Sequence, residues 1–430
     1  MHPNSLSRSV ALSAVVAATA IVMLPRLGAA GGGQAGDALL QRAAAIMSRA
    51  PLIDGHNDLP WEMRVRVAYD TTKLDIRQPQ PALETDIPRL RAGHVGGQFW
   101  SVYVPASMAG QTAVIATLEQ IAFVHELARR YPDTFEIAST AADMERIFKA
   151  GKIGSMMGVE GGHSIDSSLG ALRTFYRLGA RYMTLTHNSN TPWADAANDT
   201  PAHNGLTPFG ETVIHEMNWL GMMVDLSHVS AQTMAKVLDV TEAPVMFSHS
   251  SARAICDVPR NVPDDILARL PKNGGVVMVN FYNGFVPPDC AARNTTAAGV
   301  AAKLRLQYPG DPKAAEAAIA TWERENPPTS TLSQVADHVD HIRKVAGIDH
   351  IGIGSDFDGI DGQAPTGLED VSTYPALVAE LLRRGYSDAD VEKVIGGNIL
   401  RALKAAEIVA ARLQQQRGPS TATIAPLPKQ

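Results

Sequence analysis

The chain has 430 residues, 45% hydrophobic and 19% charged, enough for one large α/β barrel or two ordinary domains and too apolar for a disordered polymer. Its net charge of −6, with no long basic run, argues against nucleic acid and anionic membrane surfaces as partners. A small-molecule substrate fits that balance.

At the N-terminus His2 and Arg8 precede an apolar run, residues 10–24, and small residues dominate 25–36. That is the pattern of a secretory signal peptide, placed at residues 1–30 with cleavage near Ala30. The chain is therefore expected to be exported, to a periplasm or the medium. Membrane attachment is expected only if the segment stays uncleaved; that is the alternative, because the apolar run is only slightly short of a span. The two cysteines, Cys256 and Cys290, could pair in an exported protein or remain thiols, and their spacing does not decide.

Eight Val-, Ile-, Met- and Gly-rich runs then read as strands: 51–56, 96–104, 152–161, 181–187, 221–228, 243–250, 274–282 and 350–358. Helical periodicity marks 112–131, 169–180, 207–220 and 330–347. Near-continuous apolar strands alternating with helices imply a parallel sheet covered on both faces. Eight of them imply a (β/α)8 TIM barrel. A doubly wound open sheet is the second choice, since no glycine-rich phosphate loop follows the first strand. Residues 61–95 are expected to hold helix plus active-site loop. Residues 283–330 read as a polar, Ala-rich helical insertion before the last strand, a surface excursion able to lid the site. The domain is set at 38–410, with a mobile tail at 411–430.

The ends of these strands carry the chemistry. The first gives His56 and Asp58, the third Glu160, the fourth His187, the fifth His228, the sixth His249, and the eighth Asp356 with Asp358. In a barrel all of them open onto one face. Asp54, His56 and Asp58 alternate and are expected to share a strand face, Asp54 one pleat deeper as support for the barrel. Imidazoles and carboxylates without thiolates suit zinc, manganese or a related divalent ion in a catalytic site. So many ligands exceed one ion and suit a pair sharing a carboxylate, Glu160, and a hydroxide. His163 and Asp166 are read as shaping the loop after Glu160, and His338 and His341 as a solvated helix face. The glycosylation-type triplets at Asn198 and Asn294 are too short to carry weight.

Several long motifs, in order across residues 51–404, resemble the membrane (renal) dipeptidase family. They are DGHNDLPW (54–61), GVEGGHSIDSSLGALRTFYRLGARYMTLTHNSNTPWAD (158–195), GMMVDLSHVS (221–230), FSHSSARAICDVPRNVPDD (247–265) and GIGSDFDG (352–359). The resemblance implies a metal-dependent hydrolase barrel with two zinc ions that cleaves dipeptides through a hydroxide bridging the metals. It implies His56 and Asp58 on one zinc, His228 and His249 on the other, and Glu160 between them. His187 would then contact the substrate carbonyl, Arg260 its C-terminal carboxylate, and Asp356 the water and the free amino group. A disulfide between Cys256 and Cys290 and a homodimer are implied in the same way. Two departures stand out: Ser189 replaces a cysteine of animal members, and Phe285 takes the place of a substrate-side tyrosine. The rival readings are a related barrel amidohydrolase acting on cyclic amides or β-lactams, and an exported metal- or peptide-binding protein without turnover.

Overall fold

The computed structural model describes residues 34–424, so the expected signal peptide lies outside the described residues. The described residues form nine strands: β1 (Leu52–Asn57), β2 (Val95–Ser101), β3 (Phe135–Ile137), β4 (Ile153–Glu160), β5 (Ala180–Thr184), β6 (Met223–Asp225), β7 (Met246–Phe247), β8 (Val276–Val279) and β9 (Ile351–Ile353). All pair in parallel, and eight form a closed ring in the order β2-β1-β9-β8-β7-β6-β5-β4. Closure comes from β4 against β2, Gly97 opposite Gly154 through Ser101 opposite Gly158. Strand β3, absent from the sequence reading, pairs with the first half of one edge of β4, and β5 takes the second half. Three residues are too few to show a period.

Helix boundaries follow local chemistry. Ser168 accepts from Ala171 N–H to start the helix Leu169–Arg177. Thr207 caps Pro208–Leu220, which carries proline in its first turn and stops at left-handed Gly221. Side chains alternate across the barrel wall. Along β8, Val277 and Val279 join the apolar layer under the helices. Val276 and Met278 join Ile53, Phe99, Tyr182, Met223 and Met246 in a second cluster.

Two expectations change at the first strand and at the insertion. Asp54 and His56 do not share a face. The Asp54 carboxylate accepts from Ser355 N–H (2.8 Å), Ser355 Oγ (2.7 Å) and Tyr374 Oη (2.8 Å), the last on the surrounding helix Tyr374–Arg383. His56 turns instead to Tyr182 at 2.8 Å. The register of β1 on β2 shifts between Asp54 and Asn57, so strict alternation ends where the strand does. The insertion folds as two helices, Cys290–Gln307 and Pro312–Glu325, neither of which lines the central cavity, although Phe285 at its start does. The two helices therefore do not act as the lid that was expected of this stretch.

The tail boundary set at residue 411 falls inside a helix, Asn398–Gln416. Beyond it, Trp219 Nε1 donates to Arg417 O and Ser420 N–H to Glu216, so this stretch is tied to the barrel. Removing one donor from buried Asp54 in Tyr374→Phe should cost about 1–3 kcal/mol. A urea unfolding curve whose midpoint does not move would show that Asp54 does not depend on that bond.

Candidate metal centre and substrate cavity

Most residues at the barrel mouth are buried, and Glu160, last in β4, stands among them with 4% exposure. Its Oε2 lies 3.3 Å from His56 Nε2 and accepts from Ser101 Oγ at 3.1 Å. Its Oε1 lies 3.0 Å from His228 Nε2, 3.6 Å from His249 Nε2 and 3.8 Å from His187 Nε2. The two oxygens thus face different partners. Asp58 comes within 3.2 Å of His56 Nε2, and Asp356 within 3.9 Å. Ligand-type atoms fall into three overlapping groups, His56–Asp58–Glu160, Glu160–His228–His249 and His56–His249–Asp356, each within 4.8 Å.

Whether such a set fits a metal depends on lone pairs. Tyr182 Oη donates to Gly55 O, so it can only accept from His56 Nδ1. Ser248 Oγ donates to Asp225 Oδ2 at 2.6 Å, so it can only accept from His249 Nδ1 at 2.8 Å. Both rings must then carry a proton on Nδ1, which turns Nε2 toward the cluster as the atom that would bind a cation. His56 Nε2 and Asp58 Oδ1 are buried without a hydrogen-bond partner. Burial, with Arg260 and neighbouring imidazoles adding to it, holds His228 and His249 well below the usual histidine range. Burial opposes ionisation of Glu160, but His56 and His228 hold its carboxyl well below the usual range. Burial opposes the charge on His56, but Tyr182, Glu160 and Asp58 hold that ring well above the usual histidine range. Neutral imidazoles at His228 and His249, an ionised carboxylate, orphaned atoms and this demand for positive charge at His56 fit a divalent cation.

Backbone geometry at the strand ends is unusual. His228, Asp356 and Asp358 have φ of 65°, 68° and 63°, the left-handed region that non-glycine residues seldom enter. Such conformations persist where surroundings impose them, and they gather at functional sites. His228 follows the end of β6 at Asp225, and Asp356 follows the end of β9 at Ile353. The chain leaves the ladder before it delivers its histidine.

The cavity above, about 510 Å³, is lined by Asp58, Glu160, His187, His228, Arg260 and Asp356, together with Trp61, Tyr103, Tyr282 and Phe285. His56 and His249 lie beneath it, 0% and 1% exposed. Arg260 is buried, and its hydrogen bonds, to Ser250 Oγ (3.4 Å) and His249 O (3.5 Å), are long. Burial lowers it to about 10, with Asp356 and Glu160 opposing. Burial brings His187 down to about 4. Burial raises Asp356, with repulsion from Asp58 and Glu160. Phe285 does stand in the wall, but Tyr282 beside it supplies a phenol to the same cavity.

The remaining candidates lie apart. His163 Nε2 faces Val104 O, and Asp166 ends a turn in left-handed geometry. His341 pairs with Asp264 at 2.7 Å. His338 was expected on a solvated face and is instead fully buried, because Ala252 N–H and Val286 O satisfy both ring nitrogens. The expected Cys256–Cys290 disulfide is present, and Asn198 lines the cavity.

Sequence reasoning missed four supporting groups. Ser101 ends β2, and Asn280, just past β8, donates to Asp356 Oδ2 at 2.9 Å. Both occupy the strand-end position that flagged the histidines but carry no charge. Tyr182 sits mid-strand, its ring packed where a side chain on Gly158 would have to go. Glu84 accepts from Asp358 N–H (2.5 Å) and Gly362 N–H (3.0 Å), while its own N–H donates to Asp358 Oδ1 (2.7 Å). That clamp fixes the segment after Asp356, and no local pattern announces it.

The model of the membrane dipeptidase family, peptidase family M19, matches residues 40–417. Dipeptidase verJ of Clonostachys rogersoniana is 41% identical over 387 residues, 87% of this chain and 89% of that one. Dipeptidase 3 of Homo sapiens is 43% identical over 373 residues, 86% of this chain and 67% of that one. Among solved structures, the probable dipeptidase PvdM from Pseudomonas aeruginosa superposes with a TM-score of 0.77 at 25% identity, covering 87% of this chain and 100% of that one.

Tyr182→Phe frees His56 to change tautomer and should weaken metal retention about 10–100-fold, read by competition with a chelator. Unchanged retention would remove Tyr182 from the site. Burial, with repulsion from Asp358, raises Glu84 to about 8. A folded pKa above the unfolded one gives stability that is full below the unfolded value and lost as pH rises through about 8. Urea midpoints measured from pH 5 to pH 8 should therefore fall less steeply in Glu84→Gln than in the parent.

Proposed function

Since the chain belongs to the membrane dipeptidase family and is a metal-dependent dipeptidase, we propose that its centre holds two zinc ions and that the substrate's two charged ends set the length it accepts. The observation that carries this is Glu160, whose two oxygens face His56 on one side and His228 with His249 on the other. His56 and Asp58 would hold one ion, His228 and His249 the second, and Glu160 both. When bound, such ions acidify water and polarise the carbonyl of the scissile bond.

The chain's own residues do the rest. Asp356, held by Asn280, takes the proton from the attacking water and returns it to the leaving nitrogen. His187, neutral because of its burial, donates a ring N–H to the carbonyl oxygen as that atom gains charge. Arg260 is a buried guanidinium whose hydrogen bonds are long, an arrangement suited to the C-terminal carboxylate of a dipeptide. Asp356 also meets the free amino group. Both ends must be satisfied at once, so longer peptides are refused.

Export to a periplasm or the medium is part of the proposal. The Cys256–Cys290 disulfide supports it, since such bonds persist in oxidising compartments. Among the described residues no helix is long and apolar enough to cross a membrane.

Asp356→Asn should lower turnover of a dipeptide about 10²–10⁴-fold while two zinc equivalents stay bound by elemental analysis. Loss of an equivalent instead would move Asp356 into the ligand set and remove it as the base.

A further inference from the structure

The groups assigned to the substrate's far end do not stand on strands. Arg260 lies in the loop after β7, which folds back on itself. Ser251 N–H donates to Asn261 Oδ1 (3.1 Å), Val262 N–H to Ser251 O (2.8 Å) and Arg253 N–H to Val262 O (2.9 Å). Phe285 lies in the segment after β8, its ring 5.1 Å beneath the Arg260 guanidinium. Long hydrogen bonds leave Arg260 little hold of its own, so its place is set by how the two loops are joined.

Beyond the bonds at Asn280, where Ser251 Oγ donates to Asn280 O and Asn280 Nδ2 donates to His249 O (both 3.3 Å), three links join them. One is the disulfide Cys256–Cys290. A second is Asn261 Nδ2, which donates to both Cys256 O and Phe285 O at 2.9 Å. The third is His338, on the helix Leu332–Ala346 and 0% exposed. Its Nδ1 accepts from Ala252 N–H at 3.0 Å and its Nε2 lies 2.9 Å from Val286 O. An amide N–H only donates and a carbonyl only accepts, so the ring must be neutral with its proton on Nε2. Burial keeps it in that form, lowering its pKa to about 4.

We propose that His338 is a positioning residue for recognition of the substrate's carboxylate: one imidazole bridges Ala252 and Val286 and so fixes Arg260 relative to Phe285. The proposal rests on Arg260 as the carboxylate-binding group. His338 touches neither substrate nor metal ligand; it acts through the two loops.

The test uses the zinc-loaded full chain, a dipeptide and the corresponding dipeptide amide, which lacks the carboxylate. In His338→Leu the KM for the dipeptide should rise about tenfold with kcat changed less than about twofold, the signature of lost uniform binding. Hydrolysis of the amide should be unaffected, a readout that general destabilisation would move. His338→Asn, with an acceptor near the Nδ1 position, and His338→Gln, with a donor near Nε2, should each recover part of the loss. They carry the same comparison if the leucine variant does not fold. In an Arg260→Ala background His338→Leu should add nothing further.

The positioning role is overturned if kcat falls while KM holds, if the amide suffers as much as the dipeptide, or if the effect persists in full without Arg260. If Arg260→Ala itself treats dipeptide and amide alike, the carboxylate assignment is wrong and the proposal falls with it. The two failures are distinguishable because the Arg260 comparison is made in the parent background.

Discussion

A carboxylate with 4% of its surface exposed must be met by hydrogen-bond donors or positive charge, and around Glu160 that requirement organises the barrel mouth. His56, His187, His228, His249 and Ser101 reach it from the ends of five strands or just beyond them. Ring closure is the condition. In the neighbour order β2-β1-β9-β8-β7-β6-β5-β4, an open sheet would leave β1 and β4 near opposite edges. Pairing of β4 with β2 folds those edges together, and only then does Glu160 come within 3.3 Å of His56.

Assembling so many ionisable groups away from water has costs that the surrounding structure absorbs. Left-handed backbone at His228 and Asp356 is strained, and it follows the ends of the short strands β6 and β9. Hydroxyls beneath the cluster, on Tyr182 and Ser248, fix imidazole tautomers, and each spends its proton on a further acceptor. Asp54 is satisfied by Tyr374, Ser355 and the backbone N–H of His56 rather than by the imidazole cluster. Polar order therefore extends from the mouth into the wall. The centre is a layer of the fold rather than a set of ligands placed upon it.

Much of this was legible in the sequence because barrel strands concentrate chemistry at their ends. An apolar run followed at once by histidine or a carboxylate marked the candidate ligands at residues 56, 58, 160, 228 and 249. What stayed hidden has specific causes. Asn280 and Ser101 occupy the same positions but are uncharged. Tyr182 reads as core, and its function depends on a glycine, Gly158, on a neighbouring strand. His338 lies in a charged stretch, and its burial is decided by the loops that pack over it. Face assignments from strict alternation failed at Asp54, where the register shift sits. Each miss needed a tertiary partner that no local window contains.

The two halves of the site are held by different physics. The proposed metal-side groups end strands or follow them closely, where parallel ladders leave little freedom. Arg260 and Phe285 ride on loops, which are by nature more mobile and more tolerant of change. Here a disulfide, an asparagine amide and a buried imidazole stand in for the missing ladder. That division lets the wall facing the substrate vary, as the pairing of Phe285 with Tyr282 illustrates, without disturbing the cluster below. Selectivity among dipeptides can therefore drift with the loops, while the hydrolytic chemistry stays with the barrel.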